Sequence, residues 1–189
     1  MPSTRGFAGA SGALLALSLL GAVGTAAAQS PGSELGIGAR LGIRFVVSLV
    51  VYLMLGGALV ALGPRYAAET SGAIRSDPLA AFGWGLLVTI AVPVALVLLA
   101  FTIIGLVVAI PGLLLLVPVG IVGTAVTVVT VGAALTDGRG DPSGRVAVVG
   151  AVAMAIPAAV PVLGDFLTGV ATLFGTGIVG KFIYESWRG

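Results

Sequence analysis

The amino-acid sequence predicts an all-α integral membrane protein, a helical bundle of about five transmembrane helices after an N-terminal signal segment. Of the 189 residues, 58% are hydrophobic and 8% are charged, whereas soluble domains carry about 25% charged residues. Residues 78–136 contain no charged side chain, and this stretch is long enough for two crossings of about 20 residues each. The 30 glycines lie mainly inside apolar runs, where small residues let helix backbones approach closely.

Residues 1–28 have the features of a secretory signal peptide. Arg5 forms a short positive region, residues 7–23 are apolar, and residues 26–28 meet the small-residue cleavage rule. The alternative is an uncleaved first helix. Both interpretations place residue 29 outside the cytoplasm.

A short extracytoplasmic linker is expected at 29–42, followed by the transmembrane domain at 43–189. Polar, glycine and proline residues divide this domain into apolar stretches. Residues 102–111 join two of the spans, either as a tight turn or as a re-entrant loop. The expected spans lie near residues 45–62, 79–101, 112–135, 146–163 and 166–182.

The polar stretch from residue 64 to residue 78 predicts a short helix along the membrane surface. Its end contains Asp77 followed by Pro78. Aspartate is a favoured N-cap and proline suits the first helical position. A new helix is therefore expected to begin at this point.

Charge distribution predicts the orientation in the cell membrane. Basic loops favour the cytoplasmic side, and aromatic side chains favour the membrane interfaces. Five spans put two basic residues outside, Arg40 and Arg44, and six inside, whereas four spans divide them equally. The protein is therefore expected in the plasma membrane, with its mature N-terminus outside and its C-terminus in the cytoplasm. The six inner basic residues are Arg65, Arg75, Arg139, Arg145, Lys181 and Arg188; the aromatic residues near the same interface are Tyr66, Phe82, Trp84, Tyr184 and Trp187.

Asp165 is the one ionisable residue bracketed by apolar sequence on both sides. An ionisable group at membrane depth indicates a functional site, such as a proton or cation ligand. The alternative is a helix N-cap in an outer turn, because Gly164-Asp165 precedes a helical stretch. The environment of Asp165 distinguishes the two: a water-filled cavity in the first case, the outer surface in the second.

Threonines are the other polar residues within the spans. They either line a polar path or, as is more usual, donate to a carbonyl of their own helix or a neighbouring one. Tyr52 lies in the middle of a span, where an interhelical hydrogen bond is expected. These threonines are Thr89, Thr102, Thr124, Thr127, Thr130, Thr136, Thr168, Thr172 and Thr176.

Prolines and glycines within the spans are candidates for hinges or close helix packing. Proline removes a backbone hydrogen bond, and glycine permits close crossings. The candidates are Pro93, Gly105, Pro111, Pro118, Gly120, Pro157, Pro161 and Gly164. Pairs of small residues at four-residue spacing are Gly57/Ala61, Gly120/Thr124 and Thr176/Gly180.

Catalysis is not expected. The chain has no cysteine and no histidine, and its few carboxylates show no paired or metal-ligand spacing, so no catalytic residue, metal site or cofactor is predicted. Basic residues form no cluster suited to nucleic acid. The partners expected are the lipid bilayer and either a second copy of this chain or another membrane or envelope protein.

The stretch from Pro64 to about Ile183 resembles an uncharacterised multi-spanning membrane domain found C-terminal to bactofilin-type, polymer-forming cytoskeletal domains in archaea and bacteria. Glycine and proline patterns carry the resemblance: residues 63–65, 77–78, 102–105 with Pro111, 156–164 and 175–177. Two features depart from that family: Gly105 and Pro111 are separated, and the chain has no β-helix. The resemblance implies membrane anchoring or scaffolding near the envelope and assigns no reaction.

The sequence therefore favours a non-catalytic anchor or scaffold that associates with itself or with an envelope or cytoskeletal partner. The alternative is a small channel or transporter component that uses Asp165 and the intramembrane threonines. Proton-coupled transport ordinarily needs buried carboxylates or histidine, and this chain offers one such carboxylate at most.

Overall fold

The computed structural model describes residues 36–136 and 143–188, and the regular secondary structure of this part of the chain is all helical. Four of its six helices, α1, α3, α4 and α6, are long and apolar enough to cross a membrane, which is compatible with the predicted helical membrane bundle. The signal segment at 1–28 and residues 29–35 of the linker lie outside the described residues. The helices are α1 (Ile37–Leu62), α2 (Pro64–Ser76), α3 (Pro78–Ala100), α4 (Ile103–Leu135), α5 (Gly144–Ala159) and α6 (Leu163–Arg188).

Four helices begin or end at places other than those expected. Helix α6, expected at 166–182, begins at Leu163 and ends at Arg188. Helix α1 begins at Ile37, within the predicted linker, because residues 37–44 contain no proline and arginine is a good helix former. Helix α4 begins at Ile103 and not near residue 112. Helix α5 ends at Ala159, because Val160 precedes a proline and takes an extended conformation.

Thr102 starts helix α4. Its hydroxyl accepts a hydrogen bond from the backbone N–H of Gly105 at 2.9 Å and donates to the carbonyl of Leu99 at 2.9 Å. This N-cap supplies a partner for a backbone donor that the first helical turn leaves free. The α3–α4 connection is therefore a tight turn at residues 101–102, and Pro111 lies inside α4.

Helix α3 contains a π-helical segment, Leu87–Ala91, just before Pro93. Proline has no N–H, and its ring conflicts with the carbonyl four residues earlier, here that of Thr89. Local widening of the helix relieves this conflict. Such π-helical segments occur frequently at functional sites, and Thr89 lies within this one.

Helix α3 begins as the sequence predicts. The Asp77 carboxylate accepts a hydrogen bond from the Ala80 N–H at 3.0 Å, and Pro78 occupies the first helical position. We expect Asp77→Ala to lower the free energy of unfolding by about 1 kcal/mol, because that N–H loses its partner. Asp77→Asn keeps an acceptor and is expected to retain most of the stability in a thermal unfolding experiment in detergent; equal losses in both variants would contradict the capping role.

Glycine pairs bring the long helices into backbone contact. A Cβ atom at Gly132 would overlap the carbonyl of Val146, and one at Gly150 would overlap the carbonyl of Val128, so α4 and α5 interlock at this pair. Similar overlaps occur between α4 and α6 at Gly123 and Gly175, and between α3 and α6 at Gly85 and Gly177. Close backbone approach is the packing mode expected of helices in lipid.

Helix α2 packs against the bundle along one face. Its buried residues are Ala67, Thr70 and Ile74; Ala67 packs against Val129 and other residues of a small apolar cluster. The opposite face carries charged residues, among them Glu69. The predicted short helix is thus present, and it packs against the other helices of the bundle.

The turn between α5 and α6 contains a strained residue. Val162 has a φ of 66°, a conformation that costs an L-residue about 1–2 kcal/mol. The Leu163 N–H donates to the Pro161 carbonyl at 2.8 Å, which closes a γ-turn around Val162. The exposed valine side chain makes little contact to offset this cost.

Replacement of Val162 by glycine is expected to stabilise the protein by about 1 kcal/mol. Glycine adopts a positive φ without a steric penalty, and the side chain that is removed is 81% exposed. A rise in the thermal unfolding midpoint in detergent would show this effect. Val160→Gly, at a position with negative φ, is the control and should be neutral or destabilising; an equal rise in both variants would argue against relief of strain.

The α3–α4 hairpin presents a wide apolar surface beyond the bundle. Residues 92–100 pack chiefly against α4. Many side chains on both arms are strongly exposed, including Leu98, Phe101, Ile103 and Leu114. Such a surface is compatible with lipid and not with water.

Candidate functional site

Asp165 forms an ion pair with Arg44. The Arg44 Nη2 donates to Asp165 Oδ1 at 2.7 Å, and the two side chains are 40% and 62% exposed, respectively. The pair joins the first half of α1 to the first turn of α6. Asp165 lies in the first turn of α6, which begins at Leu163, so it is not the residue that caps this helix, and its carboxylate binds the Arg44 guanidinium instead.

Asp165 also lines a cleft of about 700 Å³ between α1, α3, α4 and α6. Asp165, Thr168, Thr172 and Thr176 recur every three or four residues and so follow one face of α6. Burial increases along this row, from the exposed Asp165 through the half-buried Thr168 and Thr172 to the buried Thr176. Thr89 and Thr124 add hydroxyls from α3 and α4.

Most of the intramembrane threonine hydroxyls donate to a carbonyl of the preceding helical turn, as expected from their chemistry. Thr168, for example, donates to Gly164 at 2.7 Å and Thr172 to Thr168 at 2.7 Å. Thr124, Thr127, Thr130, Thr136 and Thr176 bond in the same way. Two contacts also cross between helices: the hydroxyls of Thr89 and Thr176 lie 3.3 Å apart, and that of Thr127 lies 3.3 Å from the carbonyl of Ala171.

Tyr52 lies on the α1 side of the same cleft. Its hydroxyl faces Thr168 and the carboxylate of Asp165. Tyr52 therefore faces polar groups on another helix, in keeping with the interhelical contact expected for it, and it also lines the cavity.

The predicted hinge and packing residues lie at several places in the fold. Pro93 and Gly120 line the cleft, and a Cβ atom at Gly120 would meet no other atom within 4 Å. Pro111 and Pro118 lie inside α4 and Pro157 inside α5. Pro161 lies in the α5–α6 turn. Cβ atoms at Gly105 and Gly164 would overlap the carbonyls of Leu99 and Pro157, respectively.

Aromatic side chains collect where α2, the start of α3 and the end of α6 meet. The rings of Trp84 and Tyr184 lie 5.1 Å apart, and those of Tyr66 and Phe182 lie 6.2 Å apart in an edge-to-face arrangement. The Arg188 guanidinium lies 5.6 Å from the centre of the Tyr184 ring. Partial burial raises the pKa of the Tyr66 phenol above its ordinary value.

Some residues of the site had no distinguishing signal in the sequence. Arg44 is separated from Asp165 by 121 positions, so nothing local indicated their pairing. The crossing glycines at 85, 123, 132, 150, 175 and 177 resemble the other glycines of the chain, and only the packing distinguishes them. Within residues 36–136 and 143–188, no group of three or more acidic side chains is placed to hold a metal ion.

Comparison with known proteins supplies a family but no activity. No curated protein matches the chain, and no solved structure matches it. Residues 1–188 match a family described as a domain of unknown function, DUF8173. Because the match covers nearly the whole sequence, the chain belongs to the DUF8173 family.

Proposed function

We propose that this protein is a non-catalytic, multi-pass membrane anchor or scaffold that associates with itself or with an envelope or cytoskeletal partner. The observation that carries the proposal is the backbone contact at the glycine pairs of α4–α5, α4–α6 and α3–α6. Helices interlocked in this way form a rigid body, because packed backbones cannot slide without overlap. The resemblance to the bactofilin-associated membrane domain is the reason to consider a cytoskeletal partner.

The α3–α4 hairpin provides a surface for association. Its exposed apolar residues continue along both arms, and within a bilayer such a surface can pack against lipid or against the helices of another protein. The charged residues of the described part lie mainly toward the helix ends, where they leave this surface free of charge.

Several contacts support five crossings, and the distribution of basic residues is the reason to put the N-terminal end of α1 outside the cell. The Arg44–Asp165 pair joins the starts of α1 and α6 at one end, and the aromatic contacts join the start of α3 to the end of α6 at the other. Helix α5, with 16 residues, is about 24 Å long and shorter than the hydrocarbon core of about 30 Å. One face of α5 packs against α1, α4 and α6, whereas Val148, Val152 and Ile156 on the other face are exposed. It serves as the fourth of the five crossings.

Cysteine accessibility in intact cells tests this arrangement. The native chain has no cysteine, so single substitutions at Ser33, Ser71, Ser143, Asp165 and Ser186 report without background. We expect an impermeant maleimide to label positions 33 and 165 only. External labelling at position 186 as well as at position 165 would remove α6 from the set of crossings, and protection of position 165 would do the same for α5.

Ion flux and stoichiometry test the scaffold itself. Purified protein in proteoliposomes is expected to conduct protons, sodium and potassium no faster than empty vesicles. Single-molecule photobleaching of a fluorescent fusion in native membranes is expected to show two or more copies in each complex, or one copy that purifies with an envelope protein. A monomer without a partner would overturn the scaffold proposal.

A small channel or transporter component is the second candidate, and the polar cleft favours it. Asp165, Tyr52 and the threonine row of α6 line one continuous cavity, whereas a pure scaffold needs no such row. The flux experiment separates the two. A flux that Asp165→Asn abolishes, and that Asp77→Asn leaves intact, would establish transport and replace the scaffold.

A further inference from the structure

The cleft changes in character along its length, from a charged rim to an apolar interior. Asp165, paired with Arg44, lies at the exposed rim. Tyr52 and Thr168 lie next to it, and Thr176 is buried at the far end. The walls between them are aliphatic, formed by residues such as Val51, Leu55, Val88, Leu116 and Val119. A polar rim above an apolar slot suits an amphiphile.

The length of the cleft matches one leaflet of a bilayer. Asp165 and Thr176 are eleven residues apart on α6, which corresponds to about 16 Å at 1.5 Å per residue. Half of a hydrocarbon core of about 30 Å is about 15 Å. The volume of about 700 Å³ lies within the range of roughly 300–1,000 Å³ typical of ligand sites.

The rim has one group of each charge available to a ligand. The arginine side chain carries five N–H donors. Among the described residues, the Arg44 side chain donates only to Asp165. Its remaining donors can bind a phosphate through charge-assisted hydrogen bonds. Asp165, 62% exposed, retains Oδ2 as an acceptor for an ammonium group. The complementary head group therefore carries both a phosphate and a primary ammonium.

We propose that this cleft binds one phospholipid with an amine-bearing head group, of the phosphatidylethanolamine type. The phosphate binds Arg44, the ammonium binds Asp165, and an acyl chain fills the slot beside Thr172. The hydroxyl of Tyr52, which lines the cleft beside Thr168, can donate to an ester group of the lipid. A choline head group lacks N–H donors, and a glycerol head group lacks the cation, so both are expected to bind more weakly. This inference does not depend on whether the protein is a scaffold.

Native mass spectrometry of the detergent-purified, delipidated protein tests the proposal by titration with defined lipids. We expect one phosphatidylethanolamine to bind at least about tenfold more tightly than phosphatidylcholine or phosphatidylglycerol, since a charge-assisted hydrogen bond contributes about 1.5–3 kcal/mol. Glycerophosphoethanolamine, which has the head group but no acyl chains, should not compete. Equal binding of all three lipids, or effective competition by the head group alone, would overturn the proposal.

Two variants with matched controls locate the site. Arg44→Gln removes the phosphate ligand, and Arg40→Gln removes the same charge one turn earlier on α1. Thr172→Leu fills the slot, and Thr130→Leu makes the same change at a half-buried α4 position outside the cleft. Arg44→Gln and Thr172→Leu should each weaken binding about tenfold or more, with the controls unchanged. The two variants change different parts of the cleft, so if one of them fails to fold, the other still tests the site. If both variants fold and bind the lipid normally, the lipid binds elsewhere.

Discussion

Replacement of Gly132 by alanine is expected to destabilise the bundle by about 3 kcal/mol or more. The new Cβ atom would overlap the carbonyl of Val146 and lie 2.9 Å from the backbone N of Gly150. Because both neighbours are backbone atoms, no side-chain rotation can relieve the overlap, and α4 and α5 must separate. Separation would also disturb the reciprocal contact of Gly150 with Val128, so the loss extends beyond a single methyl group.

The matched control is Gly57→Ala in α1. A Cβ atom at Gly57 meets no other atom within 4 Å, and alanine is favoured over glycine in a helix by about 1 kcal/mol. Both substitutions replace glycine by alanine, but the expected changes in the free energy of unfolding have opposite signs. Reversible unfolding in mixed micelles would measure both free energies. If Gly132→Ala proved as stable as Gly57→Ala, α4 and α5 would not be in backbone contact.

Local sequence features predicted the structure correctly where a residue and its hydrogen-bond partner lie within a few positions of each other. The Asp77 cap lies three residues from its donor, Ala80, and each threonine of α6 bonds a carbonyl three or four residues earlier. Apolar length alone indicated the long helices. The expected α4 start was too late because Pro111 was interpreted as a helix boundary. In the structure Thr102 caps the helix first, and the proline is accommodated within it.

Contacts between distant segments could not be predicted from one sequence. Gly57 and Gly132 both stand in apolar runs, yet one is open and the other is in contact with a neighbouring backbone. The difference depends on how the helices are placed relative to one another, and small residues are too common in this chain for spacing to reveal it. Asp165 is a similar case: its position near a helix start suggested a cap, and its actual partner lies on α1.

Helix α2 is expected to detach from the bundle when Ala67 is replaced by aspartate. Ala67 is fully buried and packs in the cluster that contains Val129 and Val146. A carboxylate in this apolar site would have no partner, and burying a polar group without one costs about 2–7 kcal/mol, with a charge costing more. Release of α2 exposes that carboxylate to water and so avoids the cost. The bundle then loses its contact with α2, while the backbone contacts at the glycine pairs remain.

Ala68→Asp is the control, since it makes the same substitution one position along the same helix at an exposed site. Trypsin can report the difference, because Arg65 lies beside Ala67 in α2 and its peptide bond is protected while the helix is folded and docked. We expect Ala67→Asp to accelerate cleavage in inside-out membrane vesicles at least about tenfold, because protease access follows the open population. Ala68→Asp should be cleaved at the rate of the parent chain. Equal protection of both variants would mean that α2 keeps its fold without the contact to α4, and that this helix is anchored by the membrane surface instead of by the bundle.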